Sequence, residues 1–147
     1  MGFPPDLSKK IFTLGTGRRS EEDFIEILLA LDIEVLIDVR RVPRSKNPAF
    51  HRANLERLLK SEGIGYNYLG DELGGLRKGG YIGYLLTEDF KRGVDTLESL
   101  AAGKRSVIFC AEKLPWKCHR KWISRELHKR GWLVEHIIDK DKIWAPK

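Results

Sequence analysis

The sequence predicts an α/β fold: a single-domain three-layer sandwich, with a mainly parallel sheet of about five strands and helices on both faces. Three observations predict it. Short apolar runs, too continuous to face water, alternate along the chain with stretches of helical period. The 147 residues suit one domain, and no linker, internal repeat or low-complexity tract divides them. At 41% hydrophobic and 33% charged residues, the composition is that of a globular core under a heavily charged surface. One domain over residues 1–147, with a core from about 10 to 139, is the expectation.

Lys10-Ile11-Phe12-Thr13-Leu14 reads as a first strand, closed by Gly15-Thr16-Gly17. Ser20 is placed as an N-cap, and Glu21, Glu22 and Asp23 suit the positive end of the helix dipole that follows. Phe24, Ile27, Leu28 and Leu31 recur at i, i+3, i+4 and i+7, one apolar helical face. Val35 to Val39 is a second strand, buried on both sides. After a loop holding Pro43 and Pro48, Leu55, Leu58 and Leu59 mark a short helix ending near Gly63, and Gly65 to Leu69 makes a third strand. The glycine-rich segment from Gly70 to Gly83 is too irregular to assign. Phe90, Val94, Leu97 and Leu100 form another helical face, ending at Gly103. Ser106 to Cys110 is a fourth strand, His119 to Lys129 a helix closed by Gly131, and Trp132 to Ile138 a fifth strand.

No apolar run approaches the roughly 20 residues that cross a bilayer. Met1 to Pro5 has neither the basic nor the apolar region of a secretory signal. Two cysteines eight positions apart make no disulfide framework, so the expectation is a cytoplasmic protein with both thiols reduced. The net charge of +6 favours anionic partners, yet 27 basic residues are interleaved with 21 acidic ones. Expected partners are an anionic small molecule or nucleic acid, and no membrane; charge alone does not choose between them. Oligomeric state has no signature here.

In open α/β sheets ligands bind outside the carboxyl ends of the strands. The chemically distinctive residues fall at those ends. Strand two runs out through Asp38-Val39-Arg40-Arg41 to Pro43-Arg44-Ser45-Lys46. Strand four ends in Cys110-Ala111-Glu112 and returns as Pro115-Trp116-Lys117-Cys118-His119-Arg120 at a helix start. Three segments are therefore expected to converge on one rim.

Cys110 is either a nucleophile or ligand activated by nearby cations, or a buried structural cysteine. Cys118 and His119 sit where the next helix begins, a place that lowers a thiol pKa. Two adjacent helical residues point about 100° apart and do not readily share one target. Glu112 is a candidate proton shuttle or arginine anchor. Asp38, at the end of a buried strand, must be compensated, most simply by Arg40. Arg44 and Arg120 suit a bidentate grip on an anion. Tyr81 and Tyr84 could cover the rim.

Several sharper readings fail. Gly15-x-Gly17 lacks the third glycine of a dinucleotide fingerprint, Ser20 standing in its place. A phosphatase loop needs arginine six positions after Cys110, where Trp116 stands. A zinc site on Cys110, Cys118 and His119 is chemically sensible and stays open, but the C-x7-C-H spacing matches no standard zinc motif and a fourth ligand is not evident, so no metal and no cofactor are assigned.

Phe109-Cys110-Ala111-Glu112 with Cys118-His119-Arg120 resembles the C-A-E…C-H-R signature of the DUF488 family. Asp38-Val39-Arg40 with Pro43-Arg44-Ser45 is similar to its D-V-R…P-R-S segment, and Leu73-Gly74-Gly75 to its L-G-G. The likeness runs from Thr13 to about Ile137. Thr16 departs from it, standing where the family's T-x-G-H-S has histidine, which puts in doubt any activity resting on that histidine. The resemblance implies the fold but no agreed reaction.

Two function classes remain, and whether the protein is an enzyme stays open. In the first, Cys110 or Cys118 is the nucleophile on an anionic small or nucleotide-like substrate. His119 and Glu112 handle protons, and Asp38, Arg40, Arg44, Arg120 and Tyr81 line the binding site. The second is a nucleic-acid-binding module using Arg40, Arg41, Arg44, Lys46, Lys117 and Arg120 on phosphates, with Trp116 or Tyr81 as a stacking face.

Overall fold

Apolar runs that cannot face water find one another in a single sheet. The computed structural model describes residues 9–43, 47–75, 77, 79–115 and 118–145. Its strands are β1 (Lys10–Gly15), β2 (Val35–Asp38), β3 (Gly65–Tyr68), β4 (Ser106–Cys110), β5 (Leu133–Asp139) and β6 (Lys142–Trp144). The helices are α1 (Glu21–Ala30), α2 (Arg52–Ser61), α3 (Gly70–Leu73), α4 (Tyr81–Tyr84), α5 (Glu88–Ala101) and α6 (Arg120–Lys129). A 3₁₀ turn, Pro48–Phe50, precedes α2.

The sheet order is β3-β2-β4-β1-β5-β6, parallel except for β6, which runs antiparallel to β5. The expected five strands are all present. The sixth was not foreseen, nor were the four-residue helices α3 and α4 within the glycine-rich segment.

Strand alternation sorts the core into two layers. Phe12, Leu14, Leu36, Val107 and Phe109 meet Phe24, Ile27 and Leu28 of α1 and Leu55 and Leu59 of α2. Phe24, Phe50 and Phe109 pack as a trio with ring centroids 5.0, 5.3 and 6.1 Å apart. On the opposite face Ile37, Val39, Ile108 and Cys110 meet Phe90, Val94 and Leu97 of α5 and Ile123 and Leu127 of α6. These are the three layers. Ser20 caps α1 through an acceptor bond from the Asp23 N–H at 3.1 Å, and Thr87 caps α5 from Phe90 at 3.2 Å. Each cap contributes about 1 kcal/mol. No helix among the described residues is long and apolar enough to cross a membrane.

The strand order fixes where the chain leaves β1 and β4. From β1 the chain crosses to β2 on one side of the sheet; from β4 it crosses to β5 on the other. Connections leaving adjacent strands in opposite directions open a crevice between their carboxyl ends. Gly15 and Cys110 are register partners at that point.

Candidate active site

The place where that crevice would open is bridged by backbone. Beyond the strands, the Thr16 N–H donates to the Cys110 carbonyl at 2.9 Å and the Gly17 N–H to that of Ala111 at 3.0 Å. The Thr16 hydroxyl donates to the Ala111 carbonyl as well, at 2.9 Å. Thr16 is thus a clasp between the β1 and β4 loops. Gly15 permits the approach: a Cβ there would lie 1.7 Å from the Glu112 carbonyl oxygen. Only glycine lets the Cys110-Ala111-Glu112 turn sit so close.

On this floor the two sulfurs meet. Cys110 ends β4 wholly buried, and Cys118 lies just before α6 at 9% exposure. Their Sγ atoms are 3.1 Å apart. His119 is the N-cap of α6, so Cys118 lies outside the helix. The helical divergence expected of adjacent residues does not apply, and the His119 Nδ1 comes to 3.6 Å from the Cys118 Sγ. The other ring nitrogen, Nε2, is 3.1 Å from the Val39 carbonyl oxygen. A carbonyl only accepts, so Nε2 carries a proton and Nδ1 is left to exchange one with sulfur.

The two thiols are driven apart. Burial pushes the Cys110 thiol well up, and the ionised neighbouring sulfur adds to the effect. Cys118 moves down, first because the Cys110 S–H donates to its thiolate, then because His119 and the Arg120 N–H support the same charge against desolvation. Of the two sulfurs, Cys118 beside the imidazole is the one that ionises first, with Cys110 its thiol neighbour.

Tyr81 covers the pair. Its ring centroid is 5.4 Å from that of His119, and its hydroxyl donates to the Leu73 carbonyl at 2.7 Å. Burial raises the phenol pKa, so this donor stays protonated. Gly75 completes the cover: a Cβ there would sit 3.3 Å from the His119 Nδ1. Gly75 and the Val39 carbonyl are contributors that sequence reasoning missed. The L-G-G likeness of Leu73-Gly74-Gly75 was a signal for the first, though it carried no role; a backbone oxygen leaves none.

Arg120, at the first position of α6, is fully buried. Its Nη2 donates to the Lys113 carbonyl at 2.7 Å, pinning the loop after β4. Its Nε and Nη1 have no hydrogen-bond partner among the described residues. The charge acts on Cys110, opposing the upward push of burial, and on His136, whose pKa falls to about 4 mainly through burial.

The remaining expected site residues lie elsewhere. For Asp38 and Arg40 a structural pair is the leading expectation from the sequence, beside a place in the substrate-binding rim. They face the opposite side of the sheet from the sulfurs. Arg40 Nε and Nη2 reach Asp38 Oδ1 and Oδ2 at 2.9 and 2.8 Å, and the Arg40 N–H reaches Oδ1 at 3.1 Å. Tyr66 donates its hydroxyl to Oδ2 at 2.6 Å, and Arg40 Nη1 binds the Phe50 carbonyl at 2.7 Å. The guanidinium lies over Phe109, 4.9 Å from its centroid. A substrate-binding role for these two finds no support in this geometry. Glu112 is exposed, and it meets the cluster through its carbonyl, 3.7 Å from Cys110 Sγ, rather than through its carboxylate. Arg44 lies outside the described residues, as do Lys46, Trp116 and Lys117. Among the described residues no group of three or more His, Cys, Asp or Glu side chains could hold a metal ion.

No curated protein matches the chain. The family model described as domain of unknown function DUF488 matches residues 20–127, from the cap of α1 to the last turns of α6. That span contains β2, β4, both cysteines, His119 and Arg120 but stops short of β5, so it is narrower than the likeness read from the motifs. It covers well over half of the sequence, and the chain belongs to the DUF488 family.

Proposed function

We propose that this protein is a cysteine-dependent enzyme whose nucleophile is Cys118, acting with His119 on a small anionic electrophile. The observation that carries the reading is the arrangement around one sulfur. A thiol donor stands 3.1 Å from it and an imidazole nitrogen 3.6 Å from it, and the far ring nitrogen is fixed by the Val39 carbonyl. This is the general form of an activated nucleophile: sulfur, base, and a third group that orients the base. Cys110, fully buried, serves as a donor rather than as the attacking group.

His119 takes the Cys118 proton and returns it to the leaving group. Arg120 favours an anionic substrate, because its Nε and Nη1 are buried charge with no partner among the described residues. Glu112, on the exposed side, is left to meet the part of a substrate that projects outward. The nucleic-acid reading loses ground, since one of its phosphate contacts, Arg40, is buried and already paired with Asp38.

Alkylation tests the reading. At about pH 6, well below the ordinary thiol pKa, Cys118 should react with iodoacetamide while Cys110 does not. Negatively charged iodoacetate should outpace iodoacetamide relative to free cysteine, through Arg120. His119→Ala should shift the reactivity towards the pH range of an ordinary thiol. Two cysteines inert at that pH would overturn the proposal.

A further inference from the structure

A donor that is itself a thiol is an unusual choice, since any buried hydroxyl could support a thiolate. What a second sulfur adds is the capacity to form a bond. We propose that this site reduces hydroperoxides, with Cys118 as the attacking sulfur, Cys110 as the resolving one, and an intramolecular Cys110–Cys118 disulfide as the product. The inference rests on the reading of Cys118 as a nucleophile and deepens it by naming the electrophile and a second role for Cys110.

The chemistry balances within the site. The Cys118 thiolate attacks the terminal oxygen of the hydroperoxide. An S–O bond forms, the O–O bond breaks, and the alkoxide leaves as an alcohol with a proton from His119. Cys118 is oxidised by two electrons to a sulfenic acid. The Cys110 sulfur then attacks the Cys118 sulfur; an S–S bond forms and the S–O bond breaks. Hydroxide leaves as water with the proton that Cys110 gives up, passed through the His119 Nδ1. Two thiols and one hydroperoxide become one disulfide, one alcohol and one water.

Three features of the fold fit these roles. The sulfurs stand 3.1 Å apart, and a disulfide bond is about 2 Å long, so closing the gap takes about one ångström of movement. Cys118 is the one with some exposure, at 9%, whereas Cys110 has none. That asymmetry separates the sulfur that meets an oxidant from the sulfur that meets only its neighbour. Finally, Cys118 precedes the N-cap of α6, so its backbone can turn towards Cys110 without breaking the helix.

The test treats the reduced full-length chain with one equivalent of hydrogen peroxide in the presence of dimedone, which traps sulfenic acids. Trypsin cleaves after Lys113 and Lys117, between the two cysteines, so a disulfide appears as two linked peptides. The expected result in the wild-type chain is loss of both thiols, the linked peptides, and no dimedone adduct. Cys110→Ala should carry the adduct on Cys118, and Cys118→Ala should lose the fast phase of peroxide consumption. A lasting dimedone adduct on wild-type Cys118, or a disulfide between two chains, overturns the resolving role of Cys110 while leaving the nucleophile in place. A chain that reacts with neither peroxide nor iodoacetamide overturns both readings, and one that reacts with iodoacetamide but not peroxide overturns this inference alone.

Discussion

Replacing Asp38 by asparagine asks whether the Asp38–Arg40 pair belongs to the fold or to the site. The carboxylate is fully buried and accepts four hydrogen bonds, three from Arg40 and one from Tyr66. Removing one charge of a buried pair costs about 3–5 kcal/mol, because the partner is left uncompensated. Asparagine keeps the volume and one acceptor oxygen, so we expect the lower end, about 3 kcal/mol. That is a large share of the roughly 5–15 kcal/mol that holds an ordinary domain together. Replacing both residues, Asp38→Leu with Arg40→Met, removes the buried charge altogether. What remains is the loss of partners for the Phe50 carbonyl, the Arg40 main-chain N–H and the half-buried Tyr66 hydroxyl, about 1 kcal/mol each, so the double variant should be about as stable as Asp38→Asn, with no added cost for removing the second charge. Urea unfolding, read as midpoints at unchanged slope, measures this. Because the pair lies across the sheet from the sulfurs, the folded double variant should keep the Cys118 alkylation rate. An asparagine variant within about 1 kcal/mol of wild type, or a folded double variant with an unreactive Cys118, would refute the reasoning.

Two other perturbations follow from the same geometry. Gly75→Ala places a methyl 3.3 Å from the His119 Nδ1, so the ring must give way. Stopped-flow alkylation should find Cys118 slower at low pH, with stability changed by about 1 kcal/mol. His136 accepts or donates a 2.6 Å hydrogen bond with Thr13, and burial lowers its pKa from 6.5 to about 4. The fold holds it neutral, so its contribution to stability is complete above pH 6.5 and is lost as pH falls towards 4. That contribution is worth about 3 kcal/mol. His136→Gln should remove this part of the acid-induced loss in urea titrations between those pH values; an unchanged pH slope would contradict it.

Most of the fold could be read from the sequence because its strands are apolar on both faces. Val35 to Val39 and Ser106 to Cys110 admit no exposed arrangement, and the helices between them keep a clear period. Three residues of β6, paired through an irregular register near Asp139, carry too little pattern to be recognised. Helices of four residues, such as α3 and α4, never complete the period that identifies a helix.

The site was legible in part, for a related reason. Strand ends and a helix start located Cys110, Cys118, His119 and Arg120. What sequence alone does not provide is the register between strands. Asp38 pairs with Phe109, one residue before Cys110. That single step puts Asp38 and Arg40 on one face and the sulfurs on the other. The separation turns what reads as one rim into a structural ion pair on one face and an adjacent pair of thiols on the other.

The peptide oxygen of Val39 has a consequence for how this protein can vary. A substitution can delete a side-chain anchor in one step, but every residue type carries the same main-chain carbonyl. The imidazole's proton arrangement is therefore shielded from most point changes at position 39. It can be retuned only by moving the end of β2 as a whole, which ties the reactivity of one sulfur to the placement of a strand rather than to the identity of a neighbour.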